Sequence, residues 1–234
     1  MVGTIVNVTA IVVGTLLGLG MQKGISERVK QTVMQGISLA IILIGLQMAL
    51  QTKNPLIVIA SLVLGGIGGE LIDLERHLDR LGRHLERRMG GAGNGVARAF
   101  VASSLLYCVG AMAVVGSIQD GLTGKPYILL AKSMLDGITS VFLASTMGIG
   151  VIFSAVPVFL YQGGITLLAG VLKELLNSGV IAEVSATGGL LILGIGVNML
   201  GLKEIKVGNL LPSILFAALI ARAVQVIHIA QLIH

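Results

Sequence analysis

Residues 131–150 read AKSMLDGITSVFLASTMGIG. One acidic residue, Asp136, stands in this stretch, followed by Gly137, Thr139, Ser140, Ser145 and Thr146, with strongly apolar chain on both sides. An α-helix rises 1.5 Å per residue, so about 20 apolar residues cross the hydrocarbon core of a bilayer. If this helix enters the membrane near Tyr127, Asp136 lies roughly 14 Å deep, close to mid-bilayer. A carboxylate held there needs a partner, and ionisable residues at that depth read first as functional. Gly137 follows it directly, so a helix break capped by Asp136 is one expectation.

The composition carries the same reading to the whole chain. Of 234 residues, 55% are hydrophobic and 12% charged, and the mean hydropathy is +0.97. Soluble domains carry roughly 25% charge, so much of this surface is expected to face a lipid bilayer. Apolar segments run over 3–21, 33–50, 55–72, 100–118, 128–150, 153–172, 184–202 and 208–233. The expected fold is all-α, a polytopic transmembrane helical bundle of seven or eight spans. The boundary between the fifth and sixth rests only on Gly148, Gly150, Ser154 and Pro157, and Arg222 shortens the embedded part of the last.

The formal charge of +5 would suit nucleic acid, but the basic residues gather in loops beside apolar segments. That is the positive-inside pattern, and no nucleic-acid partner is expected. The most basic loop, ELIDLERHLDRLGRHLERR over 70–88, is assigned to the cytoplasm with Lys23, Arg28, Lys30, Lys203 and Lys206. Lys53, Lys125 and both termini then fall outside. The opening MVGTIVNV has no basic n-region and no Ala-x-Ala site, so the first apolar segment is expected to stay in the membrane. Leu71, Leu74, Leu78, Leu81 and Leu85 form an apolar stripe on the linker. It reads either as a dimer seam or as a helix lying on the membrane surface or extending the third span. GGAGNG over 90–95 follows as a hinge.

The chain shows internal similarity. Gly14-Thr15-Leu16 matches Gly116-Ser117-Ile118, and Gln35-Gly36-Ile37-Ser38 matches Asp136-Gly137-Ile138-Thr139 in nearly the same register. Three spans separate these positions, so the copies would point in opposite directions, an inverted-topology repeat. A fainter copy pairs Gly45-Leu46-Gln47-Met48 with Gly196-Val197-Asn198-Met199, and Pro55 with Pro212. The organisation expected is a first three-helix unit over 1–72, a cytoplasmic amphipathic linker over 73–99, and a second half over 100–234.

Polar residues in apolar segments are the candidate site. Besides Asp136 they are Asn7, Ser140, Gln162, Asn198, Gln47 and Asn209. Each can instead simply bond a neighbouring helix. As a set they offer oxygens and amides without thiols, which suits hard cations or hydrogen-bonding solutes more than zinc or copper. A structural reading of Asp136 stands beside the functional one: Lys132 lies one turn earlier on the same face, and Arg222 is a second possible partner. Gly14-x-x-x-Gly18 and Gly65-x-x-x-Gly69 read as helix-contact motifs. Cys108 is the single cysteine, so no intrachain disulfide forms. His77, His84, His228 and His234 make no zinc-type cluster, and no metal or cofactor is expected. No nucleophile–base pair, phosphate loop or HExxH appears, so the chain is not expected to be an enzyme.

Four stretches, GTIVNVTAIVVGTLLGLG, LDGITS, Gln162-Gly163-Gly164-Ile165-Thr166 and GGLLILGIGVNMLGLKEIKVGNLLP, resemble a bacterial inner-membrane family, domain of unknown function 554, the YqgA/YdfK type. The resemblance covers nearly the whole chain, with Asn7, Asp136, Gln162, Asn198, Asn209 and Pro212 at motif positions. It implies a multi-pass protein of the bacterial cytoplasmic (inner) membrane and a transport role without a substrate. The function expected is a transporter or channel for a small ion or small polar solute around Asp136. The alternative is a non-transporting scaffold or sensor acting through the Leu-striped linker. A homodimer is expected as a possible assembly.

Overall fold

The computed structural model describes residues 1–21, 27–78, 80 and 95–233. Among these there are only helices, turns and irregular chain, with no strand. The helices are α1 (Val2–Met21), α2 (Glu27–Ala49), α3 (Pro55–Ile72), α4 (Val96–Cys108), α5 (Ala111–Thr123), α6 (Tyr127–Met147), α7 (Ala155–Leu167), α8 (Ala169–Leu175), α9 (Ser178–Met199), α10 (Val207–Leu210) and α11 (Ser213–Ile233). A 3₁₀ turn over Ile149–Ser154 leads into α7.

Local chemistry sets several of these limits. Asn54 caps α3 by accepting from the Leu56 N–H at 3.1 Å, with Pro55 at the first helical position. Asn177 caps α9 by accepting from Gly179 and Val180 at 3.1 Å each. Gly124 closes α5 in the left-handed conformation, φ 68°.

Among the described residues, seven helical runs are long and apolar enough to cross a membrane, and the bent pair α4–α5 makes an eighth when taken as one span. The bundle is therefore a multi-pass membrane fold. The fourth span departs from expectation, because it breaks at Val109–Gly110 with a 58° bend. Gly110 there has φ 140°, a conformation that side-chain-bearing residues rarely adopt. The expected break at Asp136–Gly137 is absent: α6 runs unbroken through both. The sixth span begins earlier than expected, at Ile149.

The first three helices pack chiefly on three helices of the second half, α1 on α6, α2 on α9 and α3 on α11, rather than on one another. Glycines make each approach close. Gly14 faces the Gly137 carbonyl and Gly18 the Val141 carbonyl, so α1 and α6 run parallel. Gly65 faces Ser213 and Gly69 faces Asn209, so α3 and α11 are antiparallel. No Cβ fits at these positions. In lipid, helix association relies on such backbone approach. One end of the bundle thus carries Met1, the 50–54 turn and the α5–α6 turn. The other carries the start of the linker and residues 200–212. Leu81 and Leu85 of the linker stripe, with His84, lie outside the described residues.

Candidate functional site

Asp136 lies in the ninth residue after Tyr127, midway along α6, and is 6% exposed. Lys132, 7% exposed, reaches it from one turn earlier: its Nζ is 2.9 Å from Oδ1 and 2.8 Å from Oδ2. The ammonium therefore straddles the carboxylate. From α1, the Asn7 amide donates to Asp136 Oδ2 at 2.9 Å and to Gln162 Oε1 on α7 at 3.2 Å. Asn7 and Gln162 are both fully buried. Three helices thus meet at one ion pair, and its net charge is zero.

Ser140 adds a second layer. Its hydroxyl donates to the Asp136 backbone carbonyl at 2.7 Å, and the Tyr107 hydroxyl lies 2.8 Å from the same Oγ. Ser140 has a single proton, so Tyr107 is the donor in that contact. Tyr107 is in the last turn of α4, just before the break at Gly110. The broken span is thereby tied to the layer that holds Asp136.

Four of the seven sequence candidates, Asp136, Asn7, Gln162 and Ser140, converge here. The other three do not. Asn198 closes the turn after α9: its amide donates to Ile205 O at 2.7 Å and accepts from Ile205 N at 2.8 Å. Asn209 ties α3 to α10, donating to Glu70 Oε2 and accepting from Glu75 N at 2.6 Å each. Gln47 is exposed on α2. Arg222 is not the partner of Asp136; Lys132 is. Sequence reasoning missed Lys132's full engagement only in part, having named it, but it missed Tyr107 entirely.

Asp136 also has company as a buried carboxylate. Glu183, 3% exposed, accepts from Thr52 Oγ1 at 2.6 Å, Lys53 N at 2.7 Å and Asn54 N at 3.0 Å. It serves the 50–54 turn. Asp120, 4% exposed, accepts from the Met1 ammonium at 2.8 Å and from Gly3 N at 3.2 Å. Both sit at the Met1 end. At the linker end a cavity of about 830 Å³ is lined by Glu75, Arg98, Asn198, Lys203, Glu204 and Lys206. Lys206 bonds Glu70 at 2.7 Å, and that carboxylate holds the ammonium above the ordinary lysine value. No group of three or more His, Cys, Asp or Glu able to hold a metal occurs among the described residues.

The family described as "Protein of unknown function (DUF554)" matches residues 2–222. The chain belongs to this family. It is 36% identical to "Uncharacterized membrane protein YdfK" of Bacillus subtilis (strain 168) over 219 residues, covering 92% of this chain and 93% of the relative. It is 31% identical to "Uncharacterized protein YqgA" of Escherichia coli (strain K12) over 224 residues, covering 92% and 94%. No solved structure matches the chain.

Proposed function

We propose that this DUF554 protein is an integral transporter or channel of the bacterial inner membrane, in which Asp136 is shared between Lys132 and a proton or small cation. The observation that carries this reading is the Lys132–Asp136 pair, buried midway along a spanning helix and bonded by Asn7 from a second helix. Two charges withdrawn from water cost more than their attraction commonly returns, and a fold that needed only packing would do as well with apolar residues. Such groups inside membranes mark ion pathways.

The expectation of an open cation site at Asp136 changes in one respect. Lys132 already occupies the carboxylate, so an incoming cation or proton competes with the ammonium. When Asp136 takes the newcomer, Lys132 loses its partner, and the bundle has two states to alternate between. The glycine seams of α1–α6 and the break in α4–α5 supply places where helices can shift. The alternation of helix directions is compatible with inverted related units, which belong to the same proposal.

Flux in proteoliposomes tests it. Purified protein is reconstituted, a proton or cation gradient is imposed, and dye-reported flux is compared with protein-free vesicles. Flux in the wild type and its loss in Asp136→Asn are expected. Equal flux in both would remove Asp136 from the mechanism.

A further inference from the structure

Beside the ion pair, toward the Met1 end, five buried polar atoms have no hydrogen-bond partner among the described residues. They are Thr4 Oγ1, Asn7 Oδ1, Ser117 Oγ, Gln162 Nε2 and Thr166 Oγ1. Thr4, Asn7, Ser117 and Gln162 are fully buried, and Thr166 is 6% exposed. They converge from three helices. Asn7 bonds Gln162, and the Thr4 methyl packs over Gly163. Gly121 on α5 fits against the Thr166 carbonyl and Ala169. Ser117 and Gln162 each lie one turn before these residues on two spans that run the same way, which puts them at one level.

These hydroxyls, like those of Thr15, Ser104, Thr187 and Ser213 elsewhere, differ from many in the bundle. Ser61, Ser103, Ser133, Thr139 and Ser140 each donate to the carbonyl four residues earlier, the usual local solution in an apolar helix. Thr166 and Ser117 have such a carbonyl and do not use it. A buried polar atom with no partner is costly, and water is the usual remedy where the site is polar and each molecule can find two to four partners. The strip offers a bare amide oxygen, a bare amide NH₂ and three hydroxyls, a mixed set that fits an uncharged molecule able to donate and accept. Toward the linker end the α1–α6 packing tightens, with Thr15 Oγ1 a single further buried hydroxyl on α1 without a partner among the described residues. Gly14 and Gly18 press on α6 carbonyls there, and Ile11, Leu143, Ala144 and Val151 are fully buried.

We infer that Thr4, Asn7, Ser117, Gln162 and Thr166 hold a file of water molecules joining Asp136 to the Met1 end of the bundle. Resting on the transport reading, this file is the route by which protons reach Asp136 from that side, while the α1–α6 seam closes the other.

Two measurements test it. In a Cys108→Ala background, Thr4→Cys, Ser117→Cys and Thr166→Cys are exposed to the membrane-impermeant quaternary reagent 2-(trimethylammonium)ethyl methanethiosulfonate in right-side-out and inside-out vesicles. Thr123→Cys, exposed at the Met1 end, reports which side that end faces. Leu129→Cys is the dry control, since Leu129 is fully buried against Gly3 at the depth of Thr4. The three test thiols are expected to react from the Thr123 side, about tenfold or more faster than the control, as thiol reactivity follows exposure. Rates no faster than Leu129→Cys, or reaction only from the opposite side, overturn the proposal. Thr4→Val and Thr166→Val keep shape and remove the hydroxyl. A hydrated hydroxyl loses a bond, so melting temperatures are expected to fall. A rise in both would mean dry, unpartnered hydroxyls and no file. Labelling reads access and not flux. An accessible strip in a protein without Asp136-dependent flux would leave the file standing and sink the transport reading.

Discussion

Lys132 precedes Asp136 by one turn, the order in which an i,i+4 pair gains least from the helix it sits on. The pair is therefore held by its surroundings, with Asn7 locking one carboxylate oxygen. Lys132→Met leaves a buried carboxylate without its charge partner. It is expected to cost about 3–5 kcal/mol in detergent unfolding. The double variant Lys132→Met with Asp136→Leu is expected to recover most of that loss; a double variant as unstable as the single would argue against charge as the cause. Glu183→Gln removes the charge from a carboxylate whose two oxygens serve three donors of the 50–54 turn, and a loss of about 1–3 kcal/mol is expected from the same melts. At this scale the sequence was partly legible. Asn7, Asp136 and Gln162 announce themselves as polar residues in apolar runs. Asn198 and Asn209 look the same on paper, yet they close local turns, because partner choice depends on packing that no spacing encodes. Glu183 fell just before the apolar run that begins at Val184, so it read as loop. Thr4, Ser117 and Thr166 do not stand out as site residues, since threonine and serine in a membrane helix normally satisfy themselves.

At the scale of elements, the apolar runs located every span, because the length of a crossing is set by the bilayer and not by tertiary contacts, although α9 begins at Ser178, well before the run over 184–202. The break in the fourth span escaped notice. Gly110 is one of 33 glycines, and nothing in Cys108-Val109-Gly110 distinguishes a bend from a contact. The Asp136-Gly137 pair looks more like a break, but Gly137 packs close to α1, where an added Cβ would stand 3.2 Å from the Ala10 Cβ. The seam gives a paired test. Gly14→Val forces α1 off α6, and a loss of about 1–3 kcal/mol is expected, the usual cost of overpacking. Gly20→Ala on the same helix meets nothing within 4 Å and is expected to be neutral or slightly stabilising. Equal effects at both positions would mean that α1 does not approach α6 as closely as described. At the linker end, the raised Lys206 ammonium has its own pH window. A lysine pKa above the unfolded value stabilises fully below about 10.5 and is lost as pH climbs through the folded value, so the Glu70 clamp persists through neutral pH.

On the scale of the whole molecule, the division at residue 72 suggested by the repeat is not a division in packing. α1, α2 and α3 each lean on a helix from beyond residue 100. A fragment of residues 1–72 is expected not to give a compact folded bundle in detergent, whereas co-expression with 95–234 restores one by gel filtration. The arrangement puts the ion pair between the halves, at α1 and α6, with α7 and the break of α4–α5 against it. On the proposed transport reading, a proton or cation that takes Asp136 releases Lys132. The most direct test is charge movement on a solid-supported membrane after a proton or cation concentration jump, compared among wild type, Asp136→Asn and Lys132→Met. The account predicts a transient in the wild type, none in Asp136→Asn, and half-saturation at a lower concentration in Lys132→Met, where the ammonium no longer competes. Identical transients in all three would contradict it.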